Sequence, residues 1–200
     1  MFALLAIALG LGLAIGAALG GTPRALADVR LRATPLLAAA LVAGLAPLAI
    51  EIAAEPRRWI QTATNLGVLI FLAVNARVLR GNLRAGLALI SLGWALNFLV
   101  IAANKGMPLS LWAWKHSGQT GAPTPGEGGF FKIVLAGPDT ILRPLGDMIP
   151  LHALNQVVSL GDIILLAGIA ALIAAGMRSA PCEMPAESGS AEAVAAHERR

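Results

Sequence analysis

The side chains with the greatest capacity for chemistry gather in one long polar segment, residues 104–158, and at the start of the apolar run that follows it. They are carboxylates and imidazoles: Asp139, Asp147, Asp162, His116 and His152. General acid–base catalysis and metal binding both use these groups. Their spacing matches no zinc or calcium motif, so the sequence predicts neither a bound metal nor another cofactor.

Asp147 follows Gly146 in a proline-flanked loop, and its role has two interpretations. In the first, its carboxylate joins other polar side chains of the loop, His152 among them, in an outward-facing metal site. In the second, the carboxylate accepts hydrogen bonds from backbone N–H groups and holds the loop in shape. The missing metal motif favours the second interpretation.

Asp162 has a simpler expected role at the start of a helix. The stretch Ser159-Leu160-Gly161-Asp162 fits the Ser/Thr-x-x-Glu/Asp pattern, in which the serine caps the first turn. The acidic group also favours the positive end of the helix dipole. We therefore expect Ser159 and Asp162 to begin the last apolar helix.

The chain lacks the short motifs of common enzymes. It contains no Gly-x-Ser-x-Gly, no His-Glu-x-x-His and no phosphate-binding glycine loop. Cys182 is the only cysteine, so neither an internal disulfide nor a Cys-x-x-Cys metal pair can form. We expect no enzymatic activity; a membrane enzyme that uses Asp147 or His152 is the least favoured alternative.

The elements that must position these residues are apolar helices. The chain is 57% hydrophobic and only 13% charged, with a mean hydropathy of +0.75. A water-soluble protein of this length could not bury so much apolar surface. The sequence predicts an all-α, polytopic membrane bundle of five transmembrane helices, each about 20 residues long. They are residues 2–20, 35–53, 59–79, 85–103 and 159–177.

The arginines predict how this bundle is oriented in a cell membrane. They cluster in the loops after the first, third and fifth predicted helices. The positive-inside rule then places the N-terminus outside and the C-terminus in the cytoplasm. Topology also explains the net charge of +4, so we expect no nucleic acid as a partner. Residues 1–177 form the transmembrane domain, and residues 178–200 form a disordered cytoplasmic tail. Alternatively, Ala25-Leu26-Ala27 marks signal-peptide cleavage, which leaves four helices.

The loop of residues 104–158 is predicted to lie outside and to contain a short interfacial helix. Pro108 begins that helix, Trp112 and Trp114 anchor it at the headgroup level, and Gly118 ends it.

Small and polar residues define one face of the fourth predicted helix. Gly86, Gly93, Asn97 and Asn104 follow one another in steps of seven, four and seven, so they share that face. The pattern favours a packing surface, on which glycines admit a neighbouring helix and Asn97 bonds across the contact. The alternative is a polar lining for a ligand or ion path.

Two further polar residues lie in the neighbouring predicted helices. The third and fourth predicted helices form an antiparallel hairpin, in which Asn65 and Asn97 lie at similar depths. This geometry predicts a buried amide pair between them. Glu51 is an acid inside the second predicted span, close to its outer end. It is expected to reach the interface or to pair with Arg57 or Arg58, because a proton relay needs a second buried titratable group.

Three stretches carry a resemblance to a known family. "LNFLVIAANKGMP", "PLGDMIP" and "SLGDIILLAG" resemble the signature stretches of bacterial multi-pass membrane proteins catalogued as domain of unknown function 5317. The resemblance implies a glycine where this chain has Lys105. It also implies that a set of residues matters together, with all of them except Asn97 at the outer face. The set is Asn97, Asn104, Gly106, Met107, Pro108, Gly146, Asp147, Pro150, Ser159, Gly161 and Asp162.

These features predict a structural or accessory protein of the inner membrane. It would bind a partner membrane protein or lipid through its outer loop. The alternative is a small carrier or channel with a polar path between the third and fourth predicted helices, although no internal repeat is visible.

Overall fold

The protein is described by a computed structural model that covers residues 2–49, 54–123 and 133–179. Glu51, part of the Pro/Gly-rich stretch after His116 and nearly all of the predicted tail lie outside the described residues. The chain is mostly helical in these ranges. The helices are α1 (Phe2–Ala18), α2 (Thr34–Ala49), α3 (Ala54–Val78), α4 (Gly81–Asn104), α5 (Leu111–His116) and α6 (Leu160–Gly176).

Each of the five predicted apolar segments is a helix, but their lengths differ. By length and composition, Trp59–Val78 and Gly81–Asn104 can each cross a membrane. The apolar stretches Ala3–Ala18, Thr34–Ala46 and Leu160–Gly176 are shorter. A bilayer core of about 30 Å takes about 20 helical residues. Helix length therefore supports two spans within the described ranges rather than the five that the sequence predicts.

Helix α4 packs most closely against α6, and the two run antiparallel. A Cβ on Gly86 would meet Leu172, and one on Gly93 would meet Leu165. Glycines at these positions therefore let the two backbones come into contact, as small residues do between membrane helices. The predicted packing interpretation of the α4 glycine face is thus confirmed, with α6 as the neighbour.

Helix α1 lies beside α6 and runs parallel to it. Gly12 of α1 approaches the backbone of Ala170 and Gly16 approaches Ala174, in the same chain direction. At the far end of the pair the N–H of Thr22 donates to the carbonyl of Met177 at 2.8 Å. The N-termini of α1 and α6 consequently lie at the same end of the bundle as the C-terminus of α4.

Helices α2 and α3 form the other side of the bundle around a core that includes Val68, Phe71 and Leu72. Asn75 is fully buried beside this core. Its side-chain amide accepts from the backbone N–H of Arg32 at 2.8 Å and donates to the carbonyl of Arg32 at 2.9 Å. This one amide ties the segment before α2 to α3.

The long loop folds into a cap at the end of the bundle where α4 ends and α6 begins. We call residues 105–123 and 133–158 the cap. It contains α5 and four short strands: β1 (Met107–Leu109), β2 (Ile133–Leu135), β3 (Ile149–Leu151) and β4 (Gln156–Val158). Strand β1 pairs with β2 in parallel, and β3 pairs with β4 in an antiparallel hairpin. The all-α prediction was wrong for this segment.

The start of the short cap helix also differs from the prediction. Pro108 lies in β1, and α5 begins at Leu111 with Ser110 as its N-cap, whose hydroxyl accepts from the N–H of Ala113 at 3.3 Å. Serine accepts that bond readily, and proline has no side-chain acceptor to offer. Pro108 is tolerated in this strand because the neighbouring bridge at Asp147 uses the carbonyl of Pro108 and needs no N–H from it.

Candidate functional site

The polar centre of the molecule lies where α4 meets the first turn of α6. The side-chain amide of Asn97 donates to Oδ1 of Asp162 at 2.7 Å and accepts from the hydroxyl of Ser159 at 2.9 Å. Ser159 Oγ in turn accepts from the N–H of Asp162 at 3.0 Å, and the N–H of Ser159 donates to Asp162 Oδ2 at 3.1 Å. These four bonds close a ring, which we call the Asn97 ring.

Local sequence explains half of the Asn97 ring. Ser159 and Asp162 form the capping box that their spacing predicts, so that prediction is confirmed. The other half depends on Gly161, because a Cβ there would collide with the side-chain amide of Asn97. A glycine beside the capping box therefore allows α4 to place an amide against the N-terminus of α6.

Asn97 has a different partner from the one predicted. In the structure its amide contacts Ser159 and Asp162 on α6, whereas the amide of Asn65 donates to the carbonyl of Gln61 on its own helix at 2.7 Å. The predicted pair between Asn65 and Asn97 is wrong because the polar face of α4 turns to α6 rather than to α3.

Asn104 fastens the cap to the end of α4. Its amide donates to the carbonyl of Ile141 at 2.8 Å and accepts from the N–H of the same residue at 2.9 Å. The chain then leaves α4 through Lys105, which has the left-handed conformation φ 58, ψ 23. The residue with positive φ is Lys105 and not the adjacent Gly106. The conformation explains why the resemblance implies glycine at position 105.

Gly146 and Asp147 lie against β1 and extend its pairing. The N–H of Asp147 donates to the carbonyl of Pro108 at 2.8 Å, and the N–H of Ser110 donates to the carbonyl of Asp147 at 3.0 Å. A Cβ on Gly146 would press on Pro108, so glycine allows this close approach. Met107, at the start of β1, is buried against Val100 and Ile101 of α4. Asp147 is thus held to the bundle through its backbone.

The carboxyl group of Asp147 has an unusual environment. It accepts no hydrogen bond from any residue in the described part of the chain, so the prediction that it binds backbone N–H groups is wrong. Burial raises the pKa of Asp147 from its ordinary value of 3.8 to about 8, and the nearby charge of Asp162 adds to the increase. Strongly perturbed pKa values cluster at functional sites, which makes Asp147 a candidate functional group.

A cavity of about 120 Å³ opens beside the Asn97 ring. Apolar side chains and three polar ones line it: Leu4, Gln119, Gln156, Val157, Val158, Asp162 and Leu166. The two glutamine side chains make no hydrogen bond with described residues. The sequence analysis missed this cavity, because Leu4, Gln119 and Asp162 are far apart along the chain and no local pattern links them.

The structure groups the predicted site residues in two neighbouring clusters. The Asn97 ring forms one, and the other is the contact between β1 and the segment of Gly146 and Asp147. Asn104 lies at a separate attachment point. Among residues 2–49, 54–123 and 133–179, no three side chains of His, Cys, Asp or Glu come together in a way that could hold a metal ion. His116 instead stacks on Trp112, with ring centroids 4.4 Å apart.

Comparison with known protein families gives a match over most of the chain. Residues 28–174 match the model of a family described as "Family of unknown function (DUF5317)". No curated protein and no solved structure matches the chain. The matched range includes α2, α3, α4, the cap and nearly all of α6, and thus both polar clusters. The chain therefore belongs to the DUF5317 family of unknown function.

Proposed function

We propose that this protein is a multi-pass membrane protein of the accessory kind, which binds lipid or a partner membrane protein through its cap. The apolar composition and the two helices of spanning length support a membrane location. In this proposal the cap lies on the outer side of the inner membrane, as the arginine distribution predicts.

The observation that carries the proposal is the exposed apolar side of α5. Trp112 is 60% exposed and Leu111 is 43% exposed, whereas the adjacent Ala113 is fully buried. The helix therefore turns its small residue inward and its large apolar residues outward. An indole favours the headgroup level of a bilayer, since its ring is apolar and its N–H is polar. The surface of α5 suits either that level or an apolar protein surface.

The firm attachment of the cap supports a binding role for this surface. Asn104 binds both backbone groups of Ile141, and β1 is buried against the end of α4. A surface that is already ordered loses little conformational entropy when it binds. The cap therefore presents Trp112 as a fixed anchor.

A photo-crosslinking residue at position 112 tests the proposal in intact membranes. We expect adducts with lipid or with one discrete protein, and mass spectrometry of the adduct separates these two outcomes. Ala153 is exposed in the same cap and serves as the matched control position. Equal adduct patterns at positions 112 and 153, together with a monomer that purifies alone in mild detergent, would contradict the proposal.

A second candidate function, a carrier or channel between α3 and α4, rests on one observation. The hydroxyl of Thr64 and the indole N–H of Trp94 are buried and have no hydrogen-bond partner in the described part of the chain. Thr64 and Trp94 are equally far in sequence from Leu79, in the turn between the two helices, so they have similar depths. Unpaired polar groups are costly inside a membrane and mark candidate solute paths.

This second candidate is tested by solute flux into proteoliposomes. Shrink–swell light scattering with glycerol and urea is the assay. Thr64→Val keeps the side-chain shape and removes the hydroxyl, so flux through such a path is expected to fall. Ser91→Ala is the control, since the Ser91 hydroxyl already binds the carbonyl of Leu87 at 2.8 Å. Flux that equals the flux of empty liposomes excludes this candidate.

A further inference from the structure

Asp147 lies at one of the contacts between the second half of the cap and the first half. Its backbone forms a parallel bridge with Leu109, with bonds to Pro108 and Ser110 on either side. Strand β1 is in turn buried on the end of α4. Whatever displaces Asp147 consequently disturbs the link between the β3–β4 hairpin and the helices.

The carboxyl groups of Asp147 and Asp162 differ in their partners. Two donors bind the carboxylate of Asp162, namely the amide of Asn97 and the N–H of Ser159. No described residue donates to the carboxyl group of Asp147. Two carboxyl groups that lie close together repel each other when both are ionised. The group that lacks hydrogen-bond donors is therefore the one that takes up a proton.

Within the described residues, no basic side chain offsets the negative charges of Asp147 and Asp162. Basic side chains occur on the elements around Asp147. They are Lys105 after α4, Lys115 and His116 on α5, Arg143 before Asp147 and His152 after β3. Among the described residues, the charged group whose field acts on Asp147 is Asp162 on α6, which raises its pKa further. A proton is therefore the simplest way to neutralise Asp147.

We propose that Asp147 is a proton-binding site that fastens the cap to the helices, and that loss of this proton beside Asp162 loosens the cap. The protonated acid lets Asp147 stay in its bridge with Leu109. The ionised acid repels Asp162 and favours a state in which this segment of the cap opens toward water. With the orientation of the proposed function, on which this step rests, the cap surface would then respond to the pH of the outer compartment.

The direction of the pH effect follows from linkage. The pKa of Asp147 is about 8 in the closed state and returns toward 3.8 when the segment opens. Between these values the closed state holds a proton that the open state has released. The equilibrium favours the closed state most below the lower pKa. This preference falls as the pH rises from the lower to the higher pKa, and it is constant above the higher pKa. One proton changes the closing equilibrium by up to about tenfold per pH unit.

Hydrogen–deuterium exchange of the full chain in lipid nanodiscs tests this proposal. The readout is protection of the amides of Ser110 and Asp147, after correction for the pH dependence of intrinsic exchange. From pH 5 to pH 8 we expect protection in the wild type to fall by up to about tenfold per unit. Asp147→Asn removes the titration, so its protection should stay constant. Asp139→Asn, at an exposed carboxyl of the same cap, should behave as the wild type does.

Infrared difference spectroscopy supplies a second readout that does not depend on cap opening. A protonated carboxylic acid should be present at pH 6, disappear with a midpoint near pH 8, and be missing in Asp147→Asn and in Asp147→Ser. Wild-type protection that stays flat with pH would overturn the proposal, as would an acid signal that persists in both variants. If neither variant folds, a wild-type protection profile without a change between pH 5 and pH 8 would still overturn it.

Discussion

Replacement of Asn97 by leucine tests whether the Asn97 ring holds α4 and α6 together. The substitution keeps the side-chain volume and removes the donor to Asp162 and the acceptor of the Ser159 hydroxyl. A hydrogen bond to a charged acceptor contributes about 1.5–3 kcal/mol, and a hydroxyl left unpaired costs about 1 kcal/mol more. Apolar contacts of the leucine offset part of this loss, so we expect a net destabilisation of about 2–3 kcal/mol.

Thermal unfolding in detergent, followed by helical circular dichroism, measures this effect. For a chain of this size the expected loss lowers the melting midpoint by about 5–10 °C. Ser91→Ala on the same helix is the control, because it removes a hydroxyl that binds only within α4. Its expected effect is below about 0.5 kcal/mol.

A double-mutant cycle separates the Asn97 ring from general packing. Asn97→Leu and Ser159→Ala each break the hydrogen bond between the two side chains, so their combined effect should be smaller than the sum by about 0.5–2 kcal/mol. Additive effects, or an Asn97→Leu protein as stable as the Ser91→Ala control, would refute the reasoning that the ring joins the two helices.

Three further substitutions have expected outcomes in the same unfolding assay. Gly161→Ala should destabilise the protein by about 1–3 kcal/mol, because the new methyl group collides with the amide of Asn97. Gly10 faces open space, so the control Gly10→Ala should be neutral or stabilising. Equal changes of the melting midpoint in the two variants would contradict the collision. Lys105→Gly should stabilise by about 0.5–1 kcal/mol because it relieves a left-handed residue, and a lower midpoint would refute this. Asn75→Leu should destabilise by about 2–4 kcal/mol, since it leaves both backbone groups of Arg32 without that partner; an unchanged midpoint would show that the bond contributes little.

The long elements of this fold could be predicted because each depends on a local signal. Uninterrupted apolar runs predict the five long helices, and the spacing of Ser159 and Asp162 predicts the start of α6. The steps from Gly86 to Asn97 likewise show which face of α4 is packed. Each of these patterns lies within a few turns of a single helix, where side-chain geometry follows directly from residue number.

The neighbour of each packed face could not be predicted in the same way. An antiparallel hairpin places Asn65 at the depth of Asn97, but α6 brings Ser159 and Asp162 to that depth as well. The choice depends on how closely two backbones can approach, and here Gly93 and Gly161 allow α6 the closer contact. Such a comparison needs coordinates for both helices.

The cap could not be predicted because its pairings are short and distant in sequence. Strand β1 pairs with β2 through Met107 and Ile133, and each strand has only three residues. Three residues are too few to show the alternation typical of a strand. For Asp147 the loop position was visible, but the bonds involve its backbone rather than its carboxylate. A sequence pattern is made of side-chain types, so it cannot predict hydrogen bonds between backbone groups that are distant in sequence.

The two asparagines that bind loops, Asn75 and Asn104, have a consequence for which substitutions those loops can accept. Each side-chain amide forms hydrogen bonds with the backbone N–H and C=O of one loop residue, Arg32 or Ile141. These bonds do not involve the side chain of that loop residue. Every amino acid except proline offers the same N–H and C=O pair. Substitution of residue 32 or 141 by any amino acid except proline should therefore leave each loop attached at its asparagine.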